Sequence, residues 1–481
     1  MDYTMLSLAG YPSSMALGRN LFIFSNHSLF VIARALFHLQ PEHAYLLFKY
    51  AVVAQVPLAI IACWWLAHSV SDSLYTATVS AVLIVCSPVF VLYGGQVMTD
   101  VPSVLLLSVA LFIHLCGIRQ KSLWLILAGA GLLGLGVNLR ETIGFYFPWL
   151  LLAPLVCGWK LRRREILYIA ASCLVFVLLA FGWFAYWFLT DSYYRHIWYG
   201  WRASMIEESS RHPVALKNLR PFVVYLFITA PYVFISLLFA PVMEWRKKGF
   251  TLILLLWLVA FFADVLLFFN YSTAVNWRYF LTGLSGLAPL GAHWLLLAAT
   301  RVMGNTRRGL AACIFVIGGS AIIFSLIMRP VSLEFIQRRA MSKDYRQRLA
   351  ELPKDAVMIS GSQTIAVTYW VAIGAGKWET IGTGGGWPGE RLFGVIDEHF
   401  AKGKRVFIDS DPRWWLPCGW QRDEIPQIVE LEQHFRFRRV TSTIFELRPL
   451  SDNSADDKPN LKRLLPENRP EDTRKCPSSG L

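Results

Sequence analysis

The feature that most constrains this chain is a series of long apolar runs separated by short turns. A transmembrane helix needs ~20 predominantly apolar residues. By that measure about ten stretches qualify: 43–66, 74–94, 101–118, 122–139, 142–158, 166–189, 221–243, 250–269, 279–299 and 309–329. So many runs cannot all be buried in one soluble core, and the expected fold class is an α-helical polytopic membrane protein. Residues 21–39 (LFIFSNHSLFVIARALFHL) are also apolar but carry Asn26, His27 and Arg34. They read as an amphipathic helix lying in the membrane interface.

Composition agrees. Of 481 residues 55% are hydrophobic and only 16% are charged, against about 25% charged in ordinary soluble domains. The formal net charge of +14 does not point to nucleic acid, because the Lys and Arg fall mostly in turns between apolar runs and form no basic stripe. Six of the eight cysteines lie in apolar runs, where Cys acts as a small hydrophobe; Cys418 and Cys476 lie in polar sequence, and no spacing suggests zinc. Met1-Asp2-Tyr3 lacks a basic n-region, so membrane retention is expected to rest on the spans themselves.

Positive charge sets an expected orientation. Alternate turns hold Arg119 and Lys121, then Lys160, Arg162, Arg163 and Arg164, then Arg246, Lys247 and Lys248, then Arg301, Arg307 and Arg308. These belong in the cytoplasm. The turns at 94–100, 139–142, 190–220 and 270–278 then face outward, with 1–42 and 330–481. Past 330 charge rises. Short β-rich runs (356–360, 365–371, 405–409, 443–447) alternate with amphipathic helical stretches near 340–351, 390–402 and 424–435. The domains expected are an outer loop with an interfacial helix (1–42), a membrane domain (43–329), an extracytoplasmic α/β domain (330–450) and a disordered tail (451–481).

The most informative turn is Tyr93-Gly94-Gly95-Gln96-Val97-Met98-Thr99-Asp100-Val101-Pro102. An acid at a membrane edge is costly to hold ionised without a partner or water. Pro102 fits a first helical turn, and Asp100 suits a helix N-terminus, so Asp100 is either a helix cap or a functional acid. Arg140 and Arg278 stand at outward run ends, against the positive-inside bias. They are either interface anchors or holders of an anion, since a guanidinium grips phosphate in paired hydrogen bonds. Asp264 lies inside an apolar run, where an acid is either functional or a polar contact within the bundle.

Together these stretches resemble the GT-C superfamily of membrane glycosyltransferases, in particular the bacterial branch near protein O-mannosyltransferases and aminoarabinose transferases. The resemblance rests on the turn ending Thr99-Asp100-Val101-Pro102, on GAGLLGLGVNLR over 129–140 followed by Glu141, on Asn276-Trp277-Arg278-Tyr279-Phe280, and on a soluble α/β segment after the last run. It covers roughly residues 1–450, and the order of the segments carries it rather than any one of them. It implies transfer of a sugar from a polyprenyl-phosphate-linked donor to an acceptor (lipid, glycan or protein) outside the inner membrane. Such a transfer needs a carboxylate for the acceptor proton and cations for the departing phosphate. Asp100 is the candidate catalytic acid. Met1-Asp2-Tyr3-Thr4-Met5-Leu6-Ser7-Leu8-Ala9 is similar to the tail of the superfamily's first-loop acidic motif, which makes Asp2 a second candidate and implies a first helix missing from this chain. Arg140 and Arg278 are the candidate phosphate holders. Glu141, Tyr279, Asp264, Arg195 and His196 are candidate substrate contacts. The resemblance names no certain cofactor, and a divalent cation stays open; the expected partners are the lipid-linked donor, membrane lipid and an acceptor of unknown kind.

Two patterns mislead. Asp409-Ser410-Asp411 follows a strand-like run and has the spacing of a nucleotide-sugar DxD metal site, but about 120 soluble residues leave little room for a nucleotide-binding half-domain; it reads as a turn. GTGGG at 382–386 lacks the following Lys-Ser/Thr of a phosphate loop. The rival functions are a non-catalytic subunit presenting its soluble domain, and a transporter of lipid-linked sugar, which would be expected to show an internal repeat.

Overall fold

The computed structural model describes residues 2–13, 17–211, 248–270, 277–327, 329, 333, 343–361, 364–382, 389–415, 420–452 and 457–469. They belong to two compact units, Leu6–Met328 on one side and Arg329–Leu481 with Met1–Met5 on the other.

The first unit is helical. Its elements are α1 (Asp2–Ala9, shared with the other unit), α2 (Asn20–Phe37), α3 (Ala44–Ser71), α4 (Leu74–Val85), α5 (Pro88–Gly94), α6 (Asp100–Gln120), α7 (Leu123–Val137), α8 (Phe147–Val156), α9 (Arg163–Thr190), α10 (Ser192–Arg211), α11 (Lys248–Asn270), α12 (Leu281–Met303) and α13 (Thr306–Ile327). Six helical stretches are long and apolar enough to cross a membrane: Asn20–Phe37, Pro41–Ser71, Asp100–Gln120, Arg163–Thr190, Leu281–Met303 and Thr306–Leu326. The bent pair α4–α5 would make a seventh. Three shorter apolar helices accompany them, Leu123–Val137, Glu141–Val156 and Thr251–Leu266. The described residues therefore show a multi-pass membrane protein but not ten spans, and the run at 221–243 lies outside them. Part of the difference is local chemistry. The run 74–94 is bent by 62° where Pro88 starts α5 and Ser87 before it is extended, because proline lacks an N–H and disfavours a helical residue ahead of it. The segment 21–39, read as interfacial, is an 18-residue helix that meets the spanning criterion by length and composition.

Glycines draw three helices together. A Cβ on Gly129 of α7 would lie 2.5 Å from the His114 backbone nitrogen of α6, and one on Gly134 would lie 2.6 Å from the Phe176 carbonyl of α9. Small residues let helix backbones approach closely in membranes, where lipid removes the hydrophobic drive between helices. At the end of α7, Asn138 Nδ2 donates to the carbonyls of Leu179 (2.7 Å) and Ala180 (3.2 Å). Its own carbonyl accepts from the Leu21 amide at 3.1 Å, which fastens the start of α2 to the same place.

The second unit holds a mixed five-stranded sheet of order β2-β1-β3-β5-β4, from β1 (Val357–Ser360), β2 (Glu379–Gly382), β3 (Val406–Asp409), β4 (Arg436–Arg439) and β5 (Ile444–Arg448). Helices α14 (Thr364–Ala372), α15 (Gly389–Ala401) and α16 (Trp420–His434) connect them. Three of the four β-rich runs are strands. The fourth, 365–371, is corrected: it is α14. Its β-branched and aromatic residues favour a strand, but β1 and β2 pair in parallel, and a parallel pair needs a crossover, usually helical. The unexpected strands β2 and β4 are the two sheet edges, short and carrying charge as edges do. The tail is corrected too. Leu461 and Leu464 are fully buried, and the Arg469 guanidinium donates to the carbonyls of Leu464, Pro412 and Trp415. Residues 457–469 are thus part of the fold, while 470–481 lie outside the described residues.

Candidate active site

At one end of the helical unit, charged side chains from four separate segments converge. Asp100 opens α6, where an acid complements the helix dipole. Arg140 sits in extended backbone (φ −157°, ψ 125°) between α7 and the 3-10 helix Glu141–Tyr146. The Arg140 guanidinium Nη1 donates directly to Asp100 Oδ1, with Arg140 1% and Asp100 2% exposed. Burial of an unpaired charge is prohibitive, and here each supplies the other's counter-charge. Arg278, just ahead of α12, points Nη1 at Met98 Sδ (3.2 Å), two residues before Asp100. The three residues singled out from sequence for acid and phosphate roles thus share one neighbourhood.

Glu141 is engaged by a different arginine. It accepts from Arg19 Nη2 at 3.0 Å, while Arg19 Nη1 lies 3.5 Å from Thr99 Oγ1. Arg19 escaped sequence reasoning. Its only signal was the polar triplet Gly18-Arg19-Asn20 ahead of an apolar run.

From the same 3-10 helix, Thr142 Oγ1 lies 3.4 Å from Thr282 Oγ1, and Tyr146 donates its hydroxyl to the Thr282 carbonyl at 3.1 Å. Asp264 on α11 is buried, and its carboxylate presses on Gly283 of α12 so closely that a Cβ there would overlap it. Asp264 Oδ2 has no hydrogen-bond partner among the described residues. It lines the α11–α12 contact and does not join the Asp100–Arg140 pair by a hydrogen bond. Arg195 and His196 stand on α10, neither of them buried, and among the described residues neither hydrogen-bonds to the charged cluster. Asp2 begins α1, and Tyr279 lies in the 3-10 helix Trp277–Phe280; their side chains, like Asn276, lie outside what is described.

The Asp409-Ser410-Asp411 segment is a turn secured by arginines. Asp409 Oδ1 accepts from the Asp411 amide at 2.9 Å. Arg348 donates to Asp409 at 3.1 Å and lies 3.3 Å from Asp411, while Arg413 donates to Asp411 at 2.7 Å. Burial raises the Asp409 carboxyl above its ordinary value. Burial alone would raise Asp411 as well, but the Arg413 hydrogen bonds and the nearby Arg348 charge hold it low.

No family model and no curated protein matches the sequence. Among solved structures, the crystal structure of ArnT from Cupriavidus metallidurans bound to undecaprenyl phosphate aligns at TM-score 0.55 and 12% identity, over 95% of this chain and 97% of its own. An Archaeoglobus fulgidus oligosaccharyltransferase, in complex with Zn and sulfate, aligns at TM-score 0.49 and 13% identity, over 92% of this chain and 66% of its own. The first likeness shows that this chain shares the fold of that ArnT structure, the fold class expected from the resemblance.

Proposed function

We propose that this chain is a membrane glycosyltransferase that moves a sugar from a polyprenyl-phosphate-linked donor to an acceptor hydroxyl or amine on the extracytoplasmic side. The observation that carries the reading is the buried Asp100–Arg140 pair with Arg278 beside it, at one end of a GT-C-fold bundle. The ArnT structure with undecaprenyl phosphate supports a lipid-phosphate donor, and the positive-inside distribution supports the side.

The step is a direct displacement. The acceptor heteroatom attacks the anomeric carbon and forms the new glycosidic bond. The bond from that carbon to the phosphate oxygen breaks, and the electron pair leaves on the polyprenyl phosphate. Asp100 takes the acceptor proton. Arg140 and Arg278 stabilise the charge gathering on the phosphate, a preorganised electrostatic role in a poorly hydrated site. Arg140 can serve both partners because a guanidinium has five N–H donors in a fixed fork, and its Nη1 holds and orients Asp100. The resemblance keeps Asp2 as a second acid in this proposal. Asp100 and Glu141 each face an arginine, and no step of this proposal runs through a divalent cation.

The test uses the full chain in proteoliposomes with a radiolabelled polyprenyl-phosphate sugar and extracted membrane acceptors. Asp100→Asn is expected to lower turnover by ~10²–10⁴-fold, the usual range for a general base. Turnover equal to wild type would remove Asp100 from the mechanism.

A further inference from the structure

We infer that Arg19 is a positioning residue for the transfer site, a clamp that holds the two backbone segments bearing Asp100 and Arg140 at the separation their direct bond requires. The inference rests on the glycosyltransferase reading for its activity arm only. Arg19 reaches across 80 residues to Thr99 and across 122 residues to Glu141. Thr99 is the residue before Asp100, and Glu141 is the residue after Arg140. One guanidinium therefore ties together the chain neighbours of both members of the buried pair. The 3.0 Å contact to Glu141 is charge-assisted, and at 8% exposure Arg19 is largely shielded from water, which would otherwise weaken such a contact.

The backbone is bent to suit. Arg19 has φ 49° and ψ 36°, the left-handed region that L-residues other than Gly, Asn and Asp rarely enter. Gly18 before it has φ +91°, and a Cβ there would lie 2.9 Å from the Tyr194 hydroxyl. Arginine is a poor residue for such a turn by conformation alone, and strain of this kind persists where the surroundings over-determine it. From this turn α2 departs, with the Leu21 amide held by the Asn138 carbonyl at 3.1 Å, so the same turn is also fixed to the end of α7. The Asp100–Arg140 bond joins the same two segments, and its geometry must survive the arrival of a charged phosphate.

The experiment compares wild type, Arg19→Met, Arg19→Lys and Glu141→Gln as full chains in nanodiscs. It reads turnover, the Kd for undecaprenyl phosphate, and hydrogen exchange of the amides at 97–100 and 139–142. A clamp predicts kcat down by about 10–100-fold in Arg19→Met, since a small misplacement of reacting groups has that scale. It also predicts a lipid-phosphate Kd within about twofold of wild type, faster exchange in both segments, a milder loss in Glu141→Gln and partial rescue by Lys. Unchanged exchange in both segments overturns the clamp. So does a Kd raised tenfold or more with exchange unchanged, which would make Arg19 a ligand contact instead. If wild type itself binds no undecaprenyl phosphate, the donor reading falls, and the exchange data still judge the clamp.

Discussion

Removing Arg140 should cost more stability than removing its partner along with it. Arg140→Met keeps the side-chain length but leaves Asp100, 2% exposed, without its direct counter-ion. Breaking a buried pair from one side typically costs about 3–5 kcal/mol, because a charge is stranded in a medium that cannot solvate it. Asp100→Asn leaves the opposite charge buried but retains a polar acceptor, so a smaller loss of ~1.5–3 kcal/mol follows from one charged hydrogen bond. The double variant buries neither charge, and replacement of a whole buried pair is often near neutral. Its cost should therefore fall below that of Arg140→Met alone, which puts the coupling at or above about 3 kcal/mol, the upper end for residues in contact. Equilibrium unfolding of the four proteins in mixed micelles, by titration with SDS, measures all the terms in one cycle. Additive costs, with a coupling indistinguishable from zero, would refute the claim that the two charges stabilise each other.

Three further outcomes follow from other parts of the structure. Gly129→Ala places a methyl 2.5 Å from the His114 nitrogen, so α6 and α7 must separate; a loss of about 1–3 kcal/mol should appear in the same SDS titration, while Gly158→Ala, in open space but at φ +84°, should act only through local backbone strain. In the α/β unit, burial alone would raise the Glu446 carboxyl, but hydrogen bonds from Arg405 and Arg438 and the charges of Arg405 and Arg448 outweigh it and hold it below its ordinary value. Its contribution is therefore full above the unfolded value near 4.5 and is lost as pH falls through the lower folded value; exchange of the β4–β5 amides, corrected for intrinsic rate, should rise on acidification in wild type and show a weaker pH dependence in Glu446→Gln. Leu464→Ala should cost ~2–5 kcal/mol, as a buried leucine does, read by amide exchange around Trp415 and α16; an unchanged profile would return 457–469 to a mere tail.

Much of the architecture was legible because hydropathy and charge are local properties. A run of apolar residues must leave water wherever it occurs, and Pro102 and Asp100 mark a helix start without help from the rest of the chain. The close approach of α7 through Gly129 and Gly134 was not legible this way, because it depends on which helices lie against it. What misled was also local. The run 365–371 has strand-forming residues, yet the parallel pairing of β1 with β2 demands a helix there. Leu461 and Leu464 sit in polar, Pro-bearing sequence that has too little apolar surface to fold alone, and they are buried only because the preceding domain offers them a face.

The candidate site divides the same way. Asp100, Arg140 and Arg278 were identifiable one by one, since charge at the end of an apolar run is costly and invites explanation. Sequence alone determined that each of them needed a partner. It could not say which. Partner choice depends on which helix ends meet, and glycine-mediated packing of α6, α7 and α9 decides that. Only the tertiary structure gives Asp100 to Arg140 across 40 residues and Glu141 to Arg19 across 122, because the energy of a buried charge is set by distances in space rather than along the chain.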